Sequence, residues 1–374
     1  MLQRSTSRLK HSTKTTATSI PSNHLRQFPQ SDFVKLDSKK KIEEEGVPLY
    51  NPQNFYPVYI GEVIASRYQV VSKLGYGTSS TVWLCRDLQS NGFVTLKVCT
   101  RGQRPKHEIS VSKHLENSNS HPGKSLVRLV LDSFEITGPN GKHVCLTYQP
   151  LGMSFTEFRN SLPDNKFSKD LTQRSIQLAL LALAFLHDNY VVHTDISSNN
   201  ILQGNMDSKI LSQALDDRYV YYSRPMPVCA SLPVVSDLGE ARIGKQKHRG
   251  DTMPGIYRAP EVILDMDWDC KVDIWSTGAM HLAEMVSLMG PPPPEFLRRS
   301  QKCRQFWDEQ GNWKGSMPLP EQSLEIRERQ FSGGDKELFL NFLRRIFRWL
   351  PEERPTAEDL AYDDFLMQRI ISDA

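Results

Sequence analysis

Three polar residues in two short segments carry the chemistry this sequence could perform. His193-Thr194-Asp195-Ile196-Ser197-Ser198-Asn199-Asn200 sets an aspartate five residues before an asparagine, and Asp237-Leu238-Gly239 follows later. In that arrangement Asp195 would accept the proton of an attacking hydroxyl. Asn200 and Asp237 would hold magnesium ions that neutralise charge on a transferring phosphoryl group. Each segment alone is commonplace, since Asp-x-Gly is often a turn and His-x-Asp is often incidental. Order gives them weight: a glycine-rich turn, a strand lysine, a glutamate, this loop, Asp-Leu-Gly and Ala-Pro-Glu occur in succession.

The remaining candidates lie where a nucleotide would need them. In Leu74-Gly75-Tyr76-Gly77-Thr78-Ser79-Ser80-Thr81-Val82 the glycines let backbone N–H groups approach phosphate oxygens, although Gly-x-Gly also serves plain hairpins. Ser80 stands at the third glycine position, and Val82 has the spacing to pack on an adenine ring. Lys97 sits in the apolar run Val94 to Val98, so it must snorkel outward or find anions. Its expected partners are the α/β-phosphates and Glu108, preferred to Glu116 because it opens the next helix. Tyr148-Gln149-Pro150-Leu151-Gly152 reads as a hinge in which the Gln149 carbonyl and the Leu151 N–H would hold adenine. Pro150 has no N–H to give.

Elements to position these residues are legible. Strand patterns run from Arg67 past Leu74, over Thr81 to Cys85, and over Phe93 to Val98 after the Asn91-Gly92 turn. His107 to Leu115 is helical in character, and Leu126 to Glu135 and Lys142 to Tyr148 look like two more strands. Beyond residue 150, Ile176, Leu180, Leu183 and His187 share one helical face. Cys270 to Met289 and Glu337 to Leu350 are further helix candidates. A sheet-rich part followed by a helical part suits a ligand cleft between them.

Composition narrows the classes. The chain has 374 residues, 39% apolar content and a net charge of +3, which gives no strong bias toward nucleic acid or membrane. Six scattered cysteines lack zinc-ligand spacing and suggest a reducing compartment. The longest apolar stretch, Leu178 to Leu186, is too short for a bilayer. Residues 1–31 hold five Lys or Arg, eleven Ser or Thr and no acid, the profile of a disordered tail or of an Arg- and Ser-rich transit peptide. Lys39-Lys40-Lys41 and Glu43-Glu44-Glu45 read as a solvated charge run. No aromatic precedes Phe28, so direct nucleic-acid binding by the tail is not expected.

From about Ile60 to Leu366 the chain resembles the eukaryotic protein kinases, and most of all the SR-protein kinase family in its fungal SR-like branch. The residues that carry the resemblance are His193-Thr194-Asp195, Asp237-Leu238-Gly239, Leu74 to Leu84, Leu288-Met-Gly-Pro-Pro-Pro, Arg258-Ala259-Pro260-Glu261 and Asp273-Ile-Trp275. The resemblance implies an α+β, two-lobed fold, ATP and Mg2+, and a serine or threonine hydroxyl as acceptor. It also implies basic Arg/Ser-rich protein substrates, often splicing factors, and a Glu261–Arg354 ion pair. The expected layout is a basic tail over 1–50, a sheet lobe over 55–149 and a helical lobe over 150–374, with irregular insertions around 203–233 and 290–334. A monomer acting in cytoplasm or nucleus is expected, with no membrane partner; mitochondrial targeting is the alternative.

Departures from the family pattern matter. The family's lysine two residues after the catalytic aspartate is Ser197 here, a loss of one transition-state cation that is worth about 10²–10³-fold in such sites. Thr95 replaces a common alanine, and Thr194 replaces the arginine that in many kinases pairs with an activation-loop phosphate. A scaffold that binds nucleotide without turnover, a pseudokinase, is therefore the alternative. For an Arg-rich substrate the candidate acidic site is Asp265-Met-Asp267-Trp268-Asp269, which also reads as a solvated loop with a helix cap at Asp269.

Overall fold

The computed structural model describes residues 25–28, 37, 39–103, 105–204, 222–223, 226, 231–253, 255–277 and 282–372. Its sheet lobe holds six antiparallel strands in the order β1-β2-β3-β4-β6-β5. They are β1 (Val63–Ile64), β2 (Tyr68–Tyr76), β3 (Ser80–Asp87), β4 (Phe93–Cys99), β5 (Asp132–Gly138) and β6 (Gly141–Tyr148). Alternation puts Val70, Cys85, Leu96, Val98 and Cys145 on one face as a buried layer. Asn91 turns the β3–β4 hairpin with φ 55°, a left-handed conformation asparagine tolerates. Helix α1 (Lys106–Glu116) packs Ile109 on the other face beside Leu146 and Tyr148, while its buried Val111 and Leu115 join the core of the helical lobe.

The expected strand from Leu126 to Glu135 begins later. Pro122–Leu126 is a 3-10 turn, and β5 opens at Asp132. Pro122 favours a helical first turn. After the short helix α2 (Phe155–Ser161) comes α3 (Lys169–Asp188), and Gly123 lies so close to it that a Cβ there would sit 2.0 Å from the Leu181 carbonyl oxygen. The stretch between is committed to joining the lobes: Val127 bridges Val235, and the Arg128 N–H donates to the Val235 carbonyl at 2.8 Å.

The helical lobe is built on α3, whose start is capped by the Ser168 hydroxyl and whose Leu180 and Leu183 are fully buried. Two-residue and three-residue strands carry the loops of interest: β7 (Val191–Val192) pairs β10 (Arg242–Ile243), and β8 (Ile201–Gln203) pairs β9 (Pro233–Val235). The Cys270–Met289 candidate is helical at Lys271–Trp275 and Leu282–Met289, with 278–281 outside the described residues. The helix expected over Glu337 to Leu350 runs from Gly333 to Ile346 instead, and the chain turns at Phe347 so that Trp349 and Leu350 pack into the core. Residues 290–334 contain the short helices Pro294–Leu297 and Leu324–Arg327. Most of the 203–233 insertion lies outside the described residues. No helix among the described residues is long and apolar enough to cross a membrane.

The charge run before residue 50 is not simply solvated. Glu43–Gly46 forms a 3-10 turn, and Lys73, itself 5% exposed, pairs with Glu43 at 2.7 Å and with Glu44. A buried lysine needs anions, and this segment supplies two. Glu43 also accepts from the Ser223 hydroxyl at 2.9 Å.

Deep in the helical lobe, Arg354 and Glu261 form a two-pronged ion pair at 2.6 and 2.8 Å, both essentially solvent-free. The guanidinium also stacks on Trp275 at 4.9 Å and donates to the Arg348 and Lys271 carbonyls. Arg354→Ala leaves an uncompensated buried carboxylate and is expected to cost about 3–5 kcal/mol. Glu261→Leu in the same background should recover part of that loss. Urea denaturation of the three proteins checks this; equal stabilities would show that the pair is dispensable.

Candidate active site

A cleft of about 750 Å3 separates the lobes, walled by the glycine turn above and the β8–β9 hairpin below. Its roof follows from local sequence. Gly77 N–H donates to the Ser80 carbonyl at 2.9 Å, closing the turn between β2 and β3. A Cβ on Gly75 or Gly77 would meet nothing within 4 Å, so the space beneath the turn is open. Leu74, Ser80 and Val82 line it, as do Lys97, Glu108, Leu151, Asn200 and Asp237.

Lys97, paired in register with Val82, points from β4 to Glu108 of α1 at 3.0 Å and to Asp237 at 3.6 Å. Burial works against its charge, but Asp237 and Glu108 outweigh burial and lift the ammonium above its ordinary range. The preference for Glu108 over Glu116 matches this geometry. A partner that sequence reasoning missed completes it: the Tyr148 hydroxyl donates to the other Glu108 oxygen. Burial, then the Glu108 charge, push the Tyr148 phenol far up. His107 ties the start of α1 to the far side of the cleft by donating from Nε2 to the Ala241 carbonyl.

The floor is as ordered. Asp195 Oδ2 accepts from the Asn200 amide at 2.8 Å, and the same amide reaches the Asp195 carbonyl at 2.8 Å. Burial raises the Asp195 carboxyl, against the lowering effect of that hydrogen bond. The β8–β9 pairing brings Asn200 beside the strand that leads into Asp237, with the Ser236 N–H on the Asn200 carbonyl at 2.8 Å. Asp237 adopts φ 66° and keeps its side chain half exposed to the cleft. Gly239 follows because a Cβ there would crowd Asp237 Oδ1 at 3.1 Å. Such strain is held at sites whose surroundings over-determine them.

The donors suit magnesium. The Asn200 nitrogen is spent on Asp195, which leaves its side-chain oxygen, and Asp237 adds a carboxylate. Hard oxygen donors of this number match an ion that takes its remaining ligands from substrate phosphates and water. No cluster of three or more His, Cys, Asp or Glu among the described residues offers an all-protein cage. The cleft also contains a buried hydroxyl, Thr95 Oγ1, without a protein partner among the described residues.

The hinge differs from expectation. Leu151 lines the cleft, but Gln149 does not. Its carbonyl is taken by Arg128, whose guanidinium donates to it at 2.9 and 3.3 Å and stacks on the Tyr148 ring at 4.8 Å. Arg128 lines the cleft in its place. An arginine between Val127 and Leu129 reads as an outward residue of a strand, which is why no pattern revealed it.

Comparison with known proteins agrees with this geometry. Residues 68–366 match the protein kinase domain family. A serine/threonine protein kinase of Aspergillus fumigatus is 41% identical over 92% of this chain and 98% of its own. The serine/threonine-protein kinase SRPK of Physarum polycephalum is 27% identical over 85% of this chain and 90% of its own. Human dual specificity protein kinase CLK2 is 30% identical over 68% of this chain and 54% of its own. A crystallised kinase domain superposes with a TM-score of 0.67 at 21% identity, covering 84% of this chain and all of that one.

Tyr148→Phe keeps the ring and deletes the hydrogen bond to a buried carboxylate. It is expected to lower stability by about 1.5–3 kcal/mol. Calorimetry checks this, and an unchanged unfolding transition would show that Glu108 does not depend on the phenol.

Proposed function

The chain belongs to the protein kinase family and is a protein serine/threonine kinase, and we propose that its acceptors are basic, Arg/Ser-rich proteins. Asp195 takes the proton of the attacking hydroxyl, and the Asn200 amide fixes that carboxylate in place. Lys97, set by Glu108, orients the phosphates, and the glycine turn covers them. When magnesium is bound, Asn200 and Asp237 hold it and it neutralises charge on the phosphoryl group. The single observation that carries this reading is the connected line Tyr148–Glu108–Lys97–Asp237, which joins the two lobes' polar groups in one cleft.

Of the charged catalytic positions only the one at Ser197 is unfilled, and the scaffold alternative rests chiefly on it. Ser197 is buried, and its carbonyl accepts the Asn200 N–H at 3.0 Å; the residue serves the loop's shape. Local hydrogen bonds tie the activation segment to its surroundings. The Thr194 hydroxyl donates to the Glu240 carbonyl at 2.8 Å, and His248 and Trp268 exchange backbone hydrogen bonds at 2.7 and 2.8 Å. Thr252, the Ser/Thr of that segment, is 9% exposed.

The Arg/Ser preference draws support from the SRPK relative and from an acidic pair beyond the Ala-Pro-Glu. Asp265 and Asp267 hold the chain's own Arg249 at 4.0 and 3.9 Å, all three well exposed. An arginine docked this loosely is readily displaced by one from a substrate.

Transfer from ATP-magnesium to an Arg-Ser repeat peptide is the test. Asp265→Asn with Asp267→Asn should raise KM for that peptide roughly three- to tenfold and flatten its salt dependence. Arg249→Ala should lower it. No transfer to the peptide, alongside transfer to another basic protein, would contradict the acceptor class and leave the kinase reading standing.

A further inference from the structure

The base end of the cleft is more polar than adenine requires. A guanidinium has five N–H donors and no acceptor. In this chain it reaches the Gln149 carbonyl with two of them, at 2.9 and 3.3 Å. Adenine's 6-amino group is itself a donor, so it meets an occupied acceptor and a face of donors. Guanine presents acceptors at O6 and N7 on the same edge, a pair that the donors left on Nη1 and Nη2 can read. Leu151 also lines the cleft, and Thr95 Oγ1, buried and without a protein partner among the described residues, can donate or accept.

We propose that Arg128 is the base-reading residue of this cleft and that it admits guanine nucleotides, so that GTP serves beside ATP as phosphate donor. The inference rests on the kinase reading. Three contacts hold the fork where a base must pass: the Gln149 carbonyl, the Tyr148 ring at 4.8 Å, and the backbone bond of Arg128 N–H to the Val235 carbonyl. Glu108 and Asp237 are the acidic groups whose fields reach it, and the Tyr148 phenol lies against it. Burial lowers its pKa to about 10, which leaves it a cation at neutral pH. The chemistry is the same as with ATP. The acceptor oxygen bonds to the γ-phosphorus, the bond from that phosphorus to the bridging oxygen breaks, and GDP leaves with the electron pair. The hydroxyl proton passes to Asp195.

The test is titration of the full chain with GTP and with ATP, each with magnesium, by calorimetry. The wild-type dissociation constants should lie within about threefold of each other. Arg128→Leu, which removes the fork, should shift the ratio toward ATP by about tenfold or more, as expected when one bidentate base contact is lost. A structural defect would weaken both nucleotides alike, so an unchanged ratio in that variant overturns the proposal. A wild-type preference for ATP of tenfold or more overturns it without any variant. Binding of neither nucleotide would remove the kinase reading as well, which separates the two failures.

Discussion

Asp273 is the carboxylate on which the catalytic loop depends. It is fully buried and accepts the N–H groups of His193 and Thr194, each at 2.8 Å, and the His187 ring at 2.9 Å. Charge-assisted bonds of this kind are the strong ones. They hold Thr194 at φ 68°, a conformation a β-branched residue avoids. With that residue turned, Asp195 is bonded to the Asn200 amide and the Thr194 hydroxyl reaches the Glu240 carbonyl. One buried carboxylate thus sets the loop that carries Asp195, and through threonine rather than arginine that loop is tied to the segment that follows Asp237. A phosphate has no cation to find at position 194.

The sheet lobe meets this floor through a second line of contacts. Tyr148 sits at the end of β6, opposite Thr95 in the β4 register, so its ring and hydroxyl project toward α1. The phenol fixes Glu108, Glu108 fixes Lys97, and Lys97 reaches Asp237. His107 and Ala241 add a second link at the start of the same helix. Displacing α1 would therefore disturb Lys97 and Asp237 together. The pairing of Lys73 with Glu43 and Glu44 anchors the strand that leads into the glycine turn.

Much of this was legible from sequence because the residues concerned sit in strong local patterns. Lys97 stands out in an apolar strand, Glu108 opens the next helix, and Asp195, Asn200 and Asp237 have fixed spacing or a glycine neighbour. The helical face of Ile176, Leu180, Leu183 and His187 also appears as read, with His187 turned to Asp273. What sequence could not show depends on contacts distant along the chain. Arg128 lies 21 positions from Gln149, and its direction is set by the Val127–Val235 bridge. Glu43 and Glu44 look solvated until Lys73 is seen to be buried. The late start of β5 follows from Gly123 pressing on α3, a packing fact with no local signature.

Asp237 is the carboxylate that Lys97 reaches at 3.6 Å and the one proposed to hold the metal. Single-turnover transfer of labelled γ-phosphate from ATP-magnesium to a basic protein, by wild-type chain and by Asp237→Ala, tests that most directly. Transfer by the wild type and none by the variant is expected, with the variant still folded and its residual ATP binding nearly independent of magnesium. Equal transfer by both proteins would contradict it.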